Sequence, residues 1–146
     1  MHCLISTMCW GVLGSSLVLA QPAIESHKQL DGTWIATAAE RDGSPASDVV
    51  GHRLSISGDQ FQISKDGKSF YEGKTRSDPT AKPAMIDFEH TQGLAKGNTW
   101  KGIYALDGGT LTICDNAQNL DAPRPTAFEA KVGSGYDLVI FNKAKP

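Results

Sequence analysis

The chain has 146 residues and a formal net charge of −2, with 40% hydrophobic and 21% charged residues. That length suits one domain, and the composition is that of a folded protein rather than a disordered one. Acidic and basic residues are interspersed with no basic stripe, which excludes a phosphate-tracking nucleic-acid surface.

Residues 3–20, "CLISTMCWGVLGSSLVLA", carry no charge and are mostly apolar or small. The run sits at the lower limit for a membrane-spanning helix. Its end, Val18-Leu19-Ala20, fits a signal-peptidase site, and the polar "QPAIESHK" follows. The pattern predicts a signal peptide over 1–20 and an exported protein, periplasmic or extracellular, with no membrane span after cleavage. An uncleaved N-terminal anchor is the alternative, because only the amino terminus and His2 supply charge ahead of the apolar run. Met8 before Cys9 is too large for a lipidated cysteine. Cleavage removes Cys3 and Cys9, leaving Cys114 with no intramolecular partner. The mature core must then come from apolar packing without a disulfide. Cys114, at the end of "TLTIC", reads as a small buried hydrophobe rather than a reactive thiol.

Residues 21–29 read as a short lead-in, and 30–146 as one barrel domain. From Leu30 onward, short alternating segments are broken by Gly, Asp and Pro, the pattern of an antiparallel sandwich or barrel. Three tight turns set registers. Gly58-Asp59 places Ile56 opposite Phe61 and Leu54 opposite Ile63. Asp66-Gly67, a strong two-residue hairpin signal, places Ile63 opposite Phe70. Gly108-Gly109 places Leu106 across from Leu111 and Tyr104 across from Ile113. Each register gathers the apolar residues on one face. Further strands are expected over 33–40, 84–90, 126–132 and 137–143. The sum is eight or nine strands, about the number at which a barrel holds one small ligand or is filled by side chains.

"LDGTW", residues 30–34, is similar to the glycine-x-tryptophan signature that opens the first strand of lipocalins and related barrels. In those barrels the tryptophan closes one end and packs on a basic residue from a late strand. Lys143 stands where that partner would be. More widely, "LDGTWIATAAERDG", "DPTAKPAMIDF", "KGIYALDGGTLTIC" and "RPTAF" resemble an uncharacterised lipocalin-like domain family. That family is abundant in secreted and sigma-factor-associated proteins of planctomycete-type bacteria. The resemblance implies an all-β fold, a single antiparallel lipocalin-like β-barrel of about eight strands in a bacterial exported protein. It carries over no catalytic residue.

No catalytic constellation is visible in the residues. There is no G-x-S-x-G elbow, and Ser134 in "GSGY" reads as a turn. His27, His52 and His90 are scattered singly without metal-ligand spacing, so no metal or other cofactor is expected. No glycine-rich loop links a strand to a helix to cradle phosphate. Two acids pose a choice. Glu72 falls on the inward face by simple alternation, and either points into the barrel or escapes through a kink at Gly73. Asp87, between apolar neighbours, poses the same question. Arg124 either fixes an anionic ligand or, by the more ordinary use, ties loop ends together through carbonyls or Asp121. Gly102, inside a strand, marks a bend or close backbone approach.

These readings lead to two functional expectations and no enzymatic one. The first is a binding module whose interior takes up a small apolar or amphipathic molecule. Its candidate lining is Trp34, Phe61, Phe70, Glu72, Trp100, Tyr104, Ile113 and Arg124. The second is a filled barrel acting as a structural domain or binding an envelope protein through its outer face or loops, for which an exposed apolar patch near 91–98 or 115–125 would argue.

Overall fold

The computed structural model describes residues 28–146. The expected signal peptide, 1–20, and most of the lead-in, 21–29, lie outside the described residues. Lys28–Leu30 forms one helical turn. Nine strands follow: β1 (Gly32–Arg41), β2 (Ser44–Pro45), β3 (Arg53–Ser57), β4 (Gln60–Lys65), β5 (Lys68–Asp78), β6 (Ala84–Gly93), β7 (Thr99–Asp107), β8 (Thr110–Asp115) and β9 (Asp137–Lys143). Apart from the two-residue β2, each strand pairs antiparallel with the next in space, and β1 pairs β9 to close the ring. The result is an all-β, closed antiparallel barrel of eight strands.

The three tight turns fall where alternation places them. Ile56 pairs Phe61 and Leu54 pairs Ile63, while Tyr104 pairs Ile113 and Leu106 pairs Leu111. Asp66 and Gly67 both take positive φ, 51° and 76°, as a two-residue turn matching strand twist requires. The inward faces of these strands build one core around Trp34, Leu54, Phe61, Ile86, Phe88 and Leu111.

Two expectations are corrected. Ile63 pairs Tyr71 rather than Phe70, because a bulge between Ile63 and Ser64 leaves Phe70 as the extra residue on β5. A bulge reverses alternation for everything beyond it. Tyr71 and Gly73 therefore turn inward, and Glu72 turns outward.

The second correction concerns 126–132, which is not a strand. With β8 hydrogen-bonded to β9 and β9 to β1, the barrel has no free edge there for another strand to join. Residues 116–136 instead form a strap against the outside of the barrel. Asn116, fully buried, accepts from the Lys101 backbone N–H at 2.8 Å and donates to the Ala122 carbonyl at 2.9 Å. The Arg124 guanidinium donates to the Gly102 carbonyl at 2.7 Å and pairs with Asp87 at 2.7 Å.

Candidate functional site

The two ends of the barrel are built differently. At the end where the chain enters, each residue of "LDGTW" has a structural task. Leu30 is buried against the core, and its carbonyl accepts from the Trp34 indole N–H at 2.9 Å. The Asp31 carboxylate accepts from the Gly58 N–H at 2.9 Å, fastening the β3–β4 turn. Gly32 takes φ 128°, and a side chain there would crowd the Lys143 stem. Thr33 and Ser55 hydroxyls share a hydrogen bond at 3.3 Å. Trp34, 1% exposed, plugs the barrel, with the Lys143 ammonium 5.2 Å from its ring centre. This is the cation–ring contact that the first-strand signature implies.

The opposite end carries the loops 42–52, 66–67, 94–98 and the strap, and there the interior stays open. A cavity of about 210 Å³ runs down between the strands. Its apolar walls include Leu54, Phe88, Trp100, Ile113, Val139 and Phe141. Its polar lining is Arg41, Asp48, Asp115, Gln118 and Asp137, at the loop-bearing ends of their strands or in the loops themselves. The volume is below the roughly 300–1,000 Å³ of drug-sized sites, so an occupant has to be small.

The charged lining follows from register. Arg41 pairs Asp137, Asp137 pairs Asp115, and Asp115 pairs Gly102, a row across β1, β9, β8 and β7. Asp115 lies two residues beyond inward Ile113, and Asp137 two before inward Val139, so both face the interior. Arg41 reaches that face because a bulge between Ala36 and Ala38 shifts β1 by one residue. A Cβ at Gly102 would come within 2.8 Å of the Cys114 carbonyl oxygen and 3.0 Å of the Asp115 Cβ, so glycine permits the close approach of β7 to β8 beside Asp115.

The members of the row are not equally satisfied. Arg41 donates to Asp137 at 3.0 and 3.4 Å and to Asp48 at 3.3 Å, and Gln118 donates to Asp137 at 2.9 Å. Arg41 and Gln118 together hold the Asp137 carboxylate in place. Asp115 accepts the Ala117 N–H at 3.0 Å and pairs with no cation among the described residues. Burial, reinforced by the Asp137 charge, pushes its pKa up to about 7.

Beside the cavity, His90 is 2% exposed and wedged among rings. Trp100 lies at 4.1 Å, Phe61 at 5.2 Å and Tyr71 at 5.6 Å between centroids. Neither ring nitrogen has a hydrogen-bond partner among the described residues. Burial pulls its pKa down to about 4. Cys114 points away from the cavity, beneath the strap, with its thiol 3.5 Å from the Glu129 carbonyl. Burial pushes that thiol up to about 11, so it is the protonated, inert group expected.

Of the residues read from sequence as lining, Trp100 and Ile113 line the cavity. Trp34, Phe61 and Tyr104 are buried in the core. Phe70 stands outside that core, tilted against His52 at 5.9 Å. Glu72 faces outward, accepting from Gln62 at 3.2 Å and Ser69 at 2.8 Å. Arg124 ties carbonyls of β6 and β7 together, with Asp87 rather than Asp121 as its acid. Sequence reasoning missed Arg41, Asp115 and Asp137. Continuing the alternation past Ile113 and back from Val139 finds the two acids; Arg41 needs the bulge.

No protein-family model matches this chain, and no curated protein or solved structure matches it. Among the described residues, no group of three or more His, Cys, Asp or Glu could hold a metal ion, and no helix is long and apolar enough to cross a membrane.

Proposed function

We propose that this barrel is a binding module that takes one small amphipathic molecule through its open end. The observation that carries the reading is the asymmetry of the interior. One end is plugged by Leu30 and Trp34, and the other holds an apolar cavity of about 210 Å³ under a polar, charged lining. Binding would come from desolvating the ligand in a preformed cavity, with the Arg41–Asp137–Asp115 row orienting its polar group. Export and membership of the lipocalin-like family belong to the same proposal. The "LDGTW" entry and the Trp34–Lys143 contact support the family, and residues 1–20 support export.

Native mass spectrometry of the protein, purified gently from its own cells, tests the reading. A reproducible added mass that disappears on denaturation, and that Trp100→Ala reduces, is the expected result. A bare mass with no uptake from a metabolite extract would sink it. A second reading, a protein partner docking on the loops, has Leu94 and Val132 in its favour, 77% and 82% exposed. Cross-linking that maps to residues 94–98 and 116–136 in a bare barrel would select it.

A further inference from the structure

The cavity lining holds three carboxylates, Asp48, Asp115 and Asp137, against one guanidinium, Arg41. That guanidinium already binds Asp137 and Asp48, so no free cation is left among these groups for an anionic ligand. Asp115 is the reverse case: its side chain is buried, and a single backbone N–H at 3.0 Å satisfies it. A largely buried carboxylate without a cation is costly, and a ligand cation reduces that cost. Two residues along the same inward face of β7 from Gly102, the neighbour of Asp115, stands Trp100. Its ring meets Tyr71 at 5.0 Å. Aromatic faces attract a cation and also accommodate an apolar body. The apolar and aromatic wall beside the carboxyl suits an organic cation rather than a bare hydrated ion.

We propose that the open-end cavity selects a small organic amine, with its ammonium group on the Asp115 carboxylate and its apolar body against Trp100, Tyr71 and Phe88. This rests on the reading of the cavity as a ligand site and adds the chemical class of the ligand. Because the carboxyl titrates near neutrality, affinity for an amine rises with pH as Asp115 ionises. The other charged groups around it are Asp137 on β9, Arg41 on β1 and Asp48 in the loop 42–52, where His52 also lines the cavity. On the outer face, Lys101 of β7 is exposed, Arg124 of the strap lies on the Gly102 carbonyl, and the strap carries Glu129 behind Cys114.

The test is calorimetric titration of the full chain with three probes of one frame: phenethylamine, 2-phenylethanol and 3-phenylpropionate. At about pH 8 the amine should bind roughly tenfold more tightly than the alcohol, and the acid should bind least. Asp115→Asn should abolish the amine's advantage while leaving the alcohol within about twofold. Should that variant fail to fold, the pH series on the unsubstituted chain decides. Amine affinity should climb about tenfold from about pH 5.5 to about pH 8.5, with the alcohol unchanged. Equal affinities, a preference for the acid, or a flat amine profile overturns the amine assignment and leaves the cavity reading standing. Failure of all three probes, together with a bare mass from cells, overturns both.

Discussion

At the plugged end of the barrel, Trp34 finds the Leu30 carbonyl, Asp31 finds Gly58, and Lys143 lies over the indole, while the buried Thr75 hydroxyl, beside the β3–β4 turn, is left without a partner among the described residues. At the open end, Asp115 has one N–H and the His90 ring nitrogens have no hydrogen-bond partner among the described residues. The same strands run through both regions, so the difference lies in which side chains each strand turns inward at its two extremities. The plugged end is built for stability. The open end holds ionisable groups in conditions that shift their pKa values, an arrangement that costs stability and is characteristic of sites.

The largest test of this contrast compares the two tryptophans. Trp34→Ala removes the plug and should cost about 4 kcal/mol in urea unfolding. Trp100→Ala, at a partly buried ring already facing a cavity, should cost less than about 2 kcal/mol and act mainly on ligand uptake. Equal losses would break the comparison.

Next in size is the pH dependence of stability, where two groups oppose each other. His90 takes a proton near 6.5 when unfolded but only near 4 when folded, so stability falls as pH drops through that window. Asp115 has the opposite sign. Its ordinary value is 3.8 and its folded value about 7, so the fold retains a proton that the unfolded chain has lost, and stability falls as pH rises between them. Asp115→Asn should uncover the histidine slope, with stability rising by about 2 kcal/mol from about pH 4.5 to 6.5. His90→Phe should uncover the aspartate slope, falling by a similar amount. Slopes of the same sign in the two variants, measured by urea titration at each pH, would show that these groups do not govern the profile.

The smallest effect expected is at Lys143. Its ammonium is exposed, so Lys143→Ala should lower stability by only about 0.5–1 kcal/mol. A larger loss would mean that the lysine stem, packed along Gly32, contributes more than the charge.

Much of the barrel was legible because tight turns and period-two alternation constrain each other. Gly58-Asp59 and Gly108-Gly109 each put apolar residues in register, and the structure has those pairs. Alternation fails where an extra residue enters a strand, and the bulge at Phe70 carries no marker such as glycine or proline. One unmarked residue was enough to exchange Tyr71 for Phe70 and to send Glu72 inward on paper. The same effect hid Arg41 behind the irregularity at Ala36 and Ala38. Asp115 and Asp137 were hidden for another reason. Both sit at strand ends beside loop-like sequence, where an acidic residue is ordinarily a solvated cap. The segment 126–132 has strand composition, but a closed ring leaves it nothing to pair with, and ring closure is a property of the whole chain.

The plug at Trp34 also bears on how any cargo is exchanged. A barrel open at both ends lets an incoming molecule push out the resident one from behind, so turnover quickens with supply. With one mouth, arrival and departure share a doorway, and the resident must leave before a successor can enter. Under the proposed function, exchange is then timed by the lifetime of the complex, however abundant the competitor, and the loops around the mouth are where that clock would be tuned.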